Sequence, residues 1–356
     1  MTHFSNRRDF LRVSILGGLA AATAPRFTRL LHAADEPVPP KPTSRVALFH
    51  GDDRADIAFR ALKVHEQAVR QAIGSRRVII KPNNVSINKQ LCATHAGCLE
   101  GILEFLKSIG KLENAVIAES AADGPTLGGF ENYHYTDLAG KYGVRLMDLD
   151  AQEIERVYVF DEKDFRPHPV RMSKPMLDSN SFIISAAKMK THDRIVATLS
   201  LKNIILGAPV KDLGFAWGKA SKPGTKNDKP IVHGNSFRAL NYNLFDLARR
   251  LHPHLAVIDG YDGMEGNGPV GGTLVEHRVC VASTDWLAAD RVAVELMGID
   301  HAKVGYLNYC AQAGLGEGDL QKIEVVGEPL ANHIKRYRLA NNIEKQLIWM
   351  TPPKVI

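Results

Sequence analysis

The chain has 356 residues, 45% hydrophobic and 24% charged, proportions that exclude a disordered, collagenous or coiled-coil protein and leave ample length for a buried core. Its formal net charge of +6 does not indicate a nucleic-acid binder. Arg7, Arg8, Arg12, Arg26 and Arg29 lie in an N-terminal segment where only Asp9 opposes them, and the remainder is close to neutral, without a basic footprint for DNA.

Asn6-Arg7-Arg8-Asp9-Phe10-Leu11-Arg12 resembles the twin-arginine export motif and is followed by a Gly/Ala-rich apolar run over 13–24. That run is too short for the roughly 20 residues of a spanning helix, so the segment reads as a signal peptide over 1–33 with small residues Ala33 and Ala34 near its cleavage point. Residues 34–44, with Pro37, Pro39, Pro40 and Pro42, form a stiff linker. The expectation is a protein handed to the twin-arginine translocase and released to the periplasm or another exported location, with no stable membrane span after processing.

From residue 45 onward, strand-length apolar runs alternate with helical patterns. Strands are expected at 46–49, 78–80, 115–118, 144–147, 157–160, 182–185, 255–258, 279–282 and 323–326. Helices are expected at 55–73, 95–109, 136–142, 195–206, 237–251, 286–297 and 302–313. This order predicts an α/β domain over 45–330, with a mainly parallel sheet flanked by helices in Rossmann-like layers, in one lobe or two. Residues 331–356 read as a C-terminal helix and tail. The four cysteines, Cys92, Cys98, Cys280 and Cys310, match no zinc or iron–sulfur spacing. A disulfide between Cys92 and Cys98 is left open, and Cys280 reads as a small buried hydrophobe.

Four apolar runs end in a charged residue at the same relative point: Lys81, Glu119, Lys188 and Asp259. In an open parallel sheet the carboxyl ends of the strands line the ligand crevice, which predicts that these four converge on one mouth. Lys188, Lys190 and His192 alternate along one extended stretch and would face one side, a pocket for carboxylate or phosphate to which helical amides beyond would add positive charge. In the helix that follows, Lys202 falls on the apolar stripe Ile195, Leu199, Lys202, Leu206, and Asp290 falls on the stripe Trp286, Asp290, Val294, Met297. A buried charge needs a partner or a ligand, so a Lys202–Asp290 ion pair is one expectation and a functional lysine the other. Ser200, Asn203 and Gly207 share the opposite face. The long connection 207–234 carries Lys211, Lys219, Lys222, Lys226 and Lys229 against Asp212 and Asp228, and reads as a basic lid or a solvated loop, with His233 at its return. The Gly-rich run 263–272 lacks the features of a phosphate-binding loop and reads as a tight turn, with Glu265 or Asp262 as candidate acids.

Several of these motifs occur together in a known family. Lys81-Pro82-Asn83, Thr94-His95, Lys188-Met189-Lys190-Thr191-His192, Ser200-Leu201-Lys202-Asn203, Gly207, the run Glu265 to Gly272, Asp285 and Asp290 make the region from Arg45 to Val326 resemble domain of unknown function 362. That family is similar in its core to the N-terminal domain of nickel-pincer lactate racemases, which implies a small hydroxy-acid or other carboxylate substrate. Many members carry a ferredoxin-like cysteine cluster, and this chain does not.

The expected function is an exported enzyme acting on a small anionic molecule, a carboxylate or phosphate. His192, Glu119 and Asp259 would move protons, and Lys81, Asn83, Lys188, Lys190, Ser200, Lys202, Asn203 and Glu265 would bind the substrate. The alternative is a non-catalytic periplasmic protein that binds a small anion or a metal. No two histidines have helical ligand spacing, so no metal ligand is predicted, and the residues identify no cofactor.

Overall fold

A computed structural model describes residues 43–216 and 224–351; the expected signal peptide and nearly all of the linker lie outside the described residues. The first half contains β1 (Ser44–His50), α1 (Arg54–Lys63), α2 (Glu66–Ile73), β2 (Arg77–Lys81), α3 (Ala96–Ser108), β3 (Ala115–Glu119), α4 (Thr126–Asn132), α5 (Tyr135–Tyr142) and β4 (Arg145–Asp148). An antiparallel pair follows, β5 (Ile154–Asp161) and β6 (Arg166–Ser173). The second half has β7 (Ser181–His192), β8 (Val196–Thr198), α6 (Ser200–Gly207), α7 (Phe237–Ala248), β9 (Leu255–Asn267), β10 (Gly271–Ser283), α8 (Trp286–Leu296), α9 (Gly305–Gln312), β11 (Ile323–Gly327) and α10 (Ile343–Gln346).

A nine-stranded sheet runs in the order β11-β1-β10-β9-β7-β2-β3-β4, with β8 paired to β7. It is α/β and mainly parallel, with antiparallel contacts at β1–β10, β10–β9 and β7–β8. Its central strands are apolar on both faces because helices cover both. Val78, Ile80, Leu255 and Val257 pack with α1, α2, α3 and α5 on one side. Ile79, Ala256 and Ile258 pack with α6, α7, α8 and α9 on the other. Local capping starts the helices where the sequence supplies acceptors: Asp53 takes the amides of Ala55 and Asp56, Ser236 that of Ala239, and Asp285 those of Leu287 and Ala288.

All nine expected strands form, and the differences from expectation have local causes. The helix expected over 55–73 breaks at His65, whose Nε2 meets the carbonyl of Ala282 at 3.1 Å and ties the break to the sheet. The helix expected from 195 starts only at Ser200. Val196–Thr198 instead fold back antiparallel on the end of β7, since a short run that is apolar all round suits a buried strand as well as a helix. β6 was not expected because Pro167 and Pro169 interrupt its pattern, yet it lies in a two-stranded sheet where proline is tolerated.

The expected Lys202–Asp290 ion pair does not form. Asp290 is fully buried and accepts from the Ser200 amide at 2.8 Å, the Ser200 hydroxyl at 2.6 Å and the Leu201 amide at 3.1 Å. It caps α6, whose own N-cap residue, Leu199, has no acceptor side chain. This also overturns the expected contribution of α6 amides to an anion pocket, because the first two are already taken. Asp290→Ala is expected to leave those donors buried and unpaired, at a cost of about 2–4 kcal/mol in urea unfolding, whereas Lys202→Met costs little or stabilises. Equal small losses in both variants would contradict this assignment.

Candidate functional site

β2 lies between β3 and β7: the chain leaves it toward β3 and β4 on one side and returns to β7 on the other. The strand order therefore reverses between β2 and β7, and the crossovers leave a crevice outside their carboxyl ends. A cavity of about 470 Å³ opens there. β2 and β3 supply their last residues, Lys81 and Glu119; the chain just after β2 adds Asn83 and Asn84; the end of β7 brings His192, Asp193 and Arg194. α6 contributes Lys202, Asn203 and Gly207, the returning loop Lys229 and His233, and the β9–β10 turn Pro269.

The floor of this cavity is a hydrogen-bond network in which Asn83 Oδ1 and Asn84 Nδ2 are buried without a partner among the described residues. Lys81 Nζ lies 2.6 Å from Glu119 Oε1 and donates to the Pro82 carbonyl and to Asn203 Oδ1. Glu119 also accepts from the amides of Ser120 and Asn84, each at 2.8 Å. Asn203 accepts from Asn83 Nδ2 as well, and donates to the Lys81 carbonyl and Ser185 Oγ. Both partners of the ion pair are 1% exposed, and burial pulls Lys81 below the ordinary lysine range against the pull of Glu119. Every polar atom of Lys81 and Glu119 is engaged, so this pair holds the shape of the floor.

Lys202 is different. It is 5% exposed, lines the cavity, and makes no hydrogen bond or ion pair among the described residues. Burial, with Lys190 and Lys81 as cationic neighbours, brings its pKa down to about 7. His192 stands beside it; burial first and Lys202 second push its pKa well below the ordinary value, so the ring is neutral at pH 7. His192 Nδ1 accepts the Arg194 amide at 2.9 Å and lies 3.2 Å from Asp193 Oδ1; with the Nδ1 lone pair given to the amide, the ring proton is assigned to Nε2. The supposed tail contributes here: Gln346 of α10 accepts the Val196 amide and donates to the His192 carbonyl, holding the turn between β7 and β8. Lys229, at about 7 through burial, donates to the carbonyls of Pro209, Leu206 and Gly207. His233, lowered to about 4 by burial and Lys202, has a buried Nδ1 without a partner.

The expected convergence of four strand-end charges on one mouth is half realised. Lys81 and Glu119 meet, but Lys188 and Asp259 line or adjoin a second cavity of about 300 Å³ together with Arg54, His95 and Asp262. The register of β7 against β9 shifts between Lys188 and Lys190, which breaks the alternation that would have faced Lys188 and His192 to one side. There Lys188 Nζ is 3.5 Å from Asp259 Oδ2. Burial opposes ionisation of Asp259, yet Lys188 and Arg54 hold it below the usual carboxylate range. Lys190 reaches neither cavity: fully buried, it donates to the Cys92 carbonyl at 2.6 Å, and burial lowers its pKa to about 8. Ser200 belongs to the Asp290 cap rather than to the cavity. Glu265 sits on the β9–β10 arm, accepting the Arg338 amide at 2.9 Å, and is not among the cavity residues.

The described parts of the connection 207–234 are held by ion pairs. Lys211 pairs with buried Asp150, and Arg171 holds both Asp212 and Asp228. Lys219 and Lys222, named for the expected lid, lie outside the described residues. Asn84 and Arg194 were not expected at the cavity; each adjoins a motif that was, and adjacency was the available signal, whereas Lys229 was expected in the basic lid and lines the cavity. The four cysteines are free and buried, so Cys92 and Cys98 form no disulfide. Among the described residues, no group of three or more His, Cys, Asp or Glu is placed to hold a metal ion, and no helix is long and apolar enough to cross a membrane.

Gly207 is required by the floor. A Cβ there would overlap Lys81 Cε and Nζ, so the helix lies directly on the lysine that Glu119 holds. Gly→Ala within a helix ordinarily stabilises by about 1 kcal/mol. Here Gly207→Ala is expected to destabilise by about 1–3 kcal/mol in urea unfolding, through displaced packing; a stabilised variant would contradict the contact.

A search of characterised proteins finds a thylakoid-associated protein of Synechocystis sp., 25% identical over 242 residues, which cover 67% of this chain and 68% of that protein. Among solved structures, a Thermotoga maritima protein aligns with a TM-score of 0.35 and 11% identity over 64% of this chain and 55% of its own, a likeness too distant to carry an argument. Residues 78–295, from β2 into α8 and enclosing every residue named for the cavity between β2 and β7, match the family described as domain of unknown function (DUF362). The chain therefore belongs to the DUF362 family.

Proposed function

We propose that this protein is an exported enzyme that binds a small carboxylate- or phosphate-bearing substrate in the cavity between β2 and β7. One observation carries the reading: Lys202, a buried amine with no protein partner, faces a cavity at the reversal point of the sheet. A buried lysine without an acid is costly unless a ligand supplies the charge. Among the described residues Arg194 makes no ion pair and Lys229 is bonded only to carbonyls, so the basic groups lining the cavity, Lys81, Lys202, Lys229 and Arg194, face Glu119 and Asp193 as acids. His192, with its proton on Nε2, is a hydrogen-bond donor to a developing oxyanion, and Lys202, near neutrality in its titration, can take or give a proton at pH 7. Glu119 acts through Lys81 as a positioning residue. The twin-arginine-like N-terminus supports export, and the thylakoid association of the Synechocystis relative is compatible with it.

The test is a thermal-shift series with small carboxylates and phosphate esters. A binder at a hundredfold excess over its Kd should stabilise by about 2.7 kcal/mol. Lys202→Met should abolish the shift, while Lys188→Met, altered in the other cavity, should keep it from a lower starting Tm. Binding needs the ammonium form, and the empty site releases that proton near pH 7. The ligand shift should therefore shrink as pH rises from 7 to 9, with affinity falling up to about tenfold per unit. The empty protein responds in the opposite sense: its lysine pKa is depressed relative to the unfolded chain, so this group's contribution to stability increases over the same interval. A shift that survives Lys202→Met places the anion elsewhere.

A further inference from the structure

We propose that Lys202 is a covalent nucleophile that forms a Schiff base with the carbonyl carbon of a small 2-oxo carboxylic acid held in the β2–β7 cavity. The inference rests on the anion-site reading above and deepens it by assigning the substrate class.

Four observations converge. First, no acid among the described residues pairs with Lys202: Glu119 is spent on Lys81 and two amides, Asp290 is spent on Ser200 and Leu201, and Asp193, whose charge attracts it, lies against His192 instead. A lysine that only neutralises resting charge would have such a partner, whereas a nucleophile needs a free lone pair. Second, the amine stands on a helix buried through Leu201, Ile204 and Ile205, with Lys190 and Lys81 as cationic neighbours. Burial and nearby positive charge are the conditions that keep a lysine amine uncharged and nucleophilic. Third, Arg194 also lines the cavity and keeps a positive charge beside the bound carboxylate once Lys202 has released its proton to attack. Fourth, His192 offers Nε2–H in the same cavity. Lys81, the other lysine at the floor, is tied by Glu119 and two carbonyl oxygens and cannot compete.

In the step, the lone pair of neutral Nζ attacks the carbonyl carbon and the carbonyl π pair moves to oxygen. The nitrogen transfers a proton to that oxygen to give a carbinolamine. Its nitrogen lone pair then expels the hydroxyl, which leaves as water with a second proton taken from solvent, while His192 Nε2–H hydrogen-bonds the departing oxygen. The sum is amine, carbonyl and one proton giving a protonated imine and water, with no redox change. The protonated imine then serves as the electron sink for proton or carbon-group removal at the neighbouring carbon.

The experiment incubates the full chain with pyruvate, 2-oxobutyrate and 2-oxoglutarate, with acetate and lactate as carbonyl-free carboxylates. Each sample is treated with borohydride, which reduces a protonated imine to a stable secondary amine, and is read by intact mass and peptide mapping. A thermal shift is recorded on the same samples. The expected result is one reduced adduct per chain, located at Lys202 and lost in Lys202→Arg and Lys202→Met, both of which keep a cooperative unfolding transition. Carboxylates that stabilise the protein saturably with no adduct at Lys202 would overturn the covalent role and leave the anion site standing. Adducts spread over exposed lysines and unchanged by Lys202→Arg would overturn it as well. Absence of stabilisation by any oxo acid, carboxylate or phosphate ester would overturn both.

Discussion

Asp290 sets the arrangement on which the site depends. By taking the first two amides of α6 and the Ser200 hydroxyl, it seats a short apolar helix against α8 without help from the helix's own sequence. Burial raises Asp290 to about 7 even against these three hydrogen bonds, which shows how little solvent reaches the cap. Because that carboxylate is consumed, the lysine two residues into the helix has no acid to pair with. The cap that secures α6 and the unpartnered amine that faces the cavity are two results of one contact.

The other half of the geometry comes from Lys81 and Glu119. Their ion pair joins the ends of β2 and β3 beneath α6, and Gly207 lets the helix rest directly on it. Buried pairs of this kind contribute more to defined geometry than to net stability. The result is a cavity with a rigid, electrically balanced floor and a cationic wall. β7 then carries the chain some distance past this point, so that its earlier lysine, Lys188, serves a separate cluster with Arg54, His95 and Asp259. Two cavities thus open along one strand, and only the first holds a titratable group without a partner.

Much of the fold was legible because periodicity and burial agree: runs such as 78–80 and 255–258 are apolar on both faces, of strand length and separated by helical patterns, as central strands of a parallel sheet are. The charged residues closing the strands pointed to the correct edge of the sheet. What could not be read was depth. Alternation assigns Lys188, Lys190 and His192 to one side but does not show the irregularity of β7 between Lys188 and Lys190, past which they serve two cavities and the wall between. Apolar stripes showed that Lys202 and Asp290 are buried; they did not show which way each side chain turns, and the helix start at Ser200, hidden by the β-compatible run before it, decided that. Gln346 illustrates a further limit, since a polar residue in a peripheral segment gives no sign that it bonds the His192 backbone 154 positions away.

The account turns on the charge of one amine. Carbon-13 labelling at lysine Cε, with the Lys202 resonance assigned by its loss in Lys202→Met, would follow that charge directly by NMR through a pH titration. A midpoint near 7 in the ligand-free protein, moving upward when a small carboxylate binds, is the predicted result. A midpoint at the ordinary lysine value of about 10.4, unmoved by any anion, would show a solvated or paired Lys202 and contradict the site.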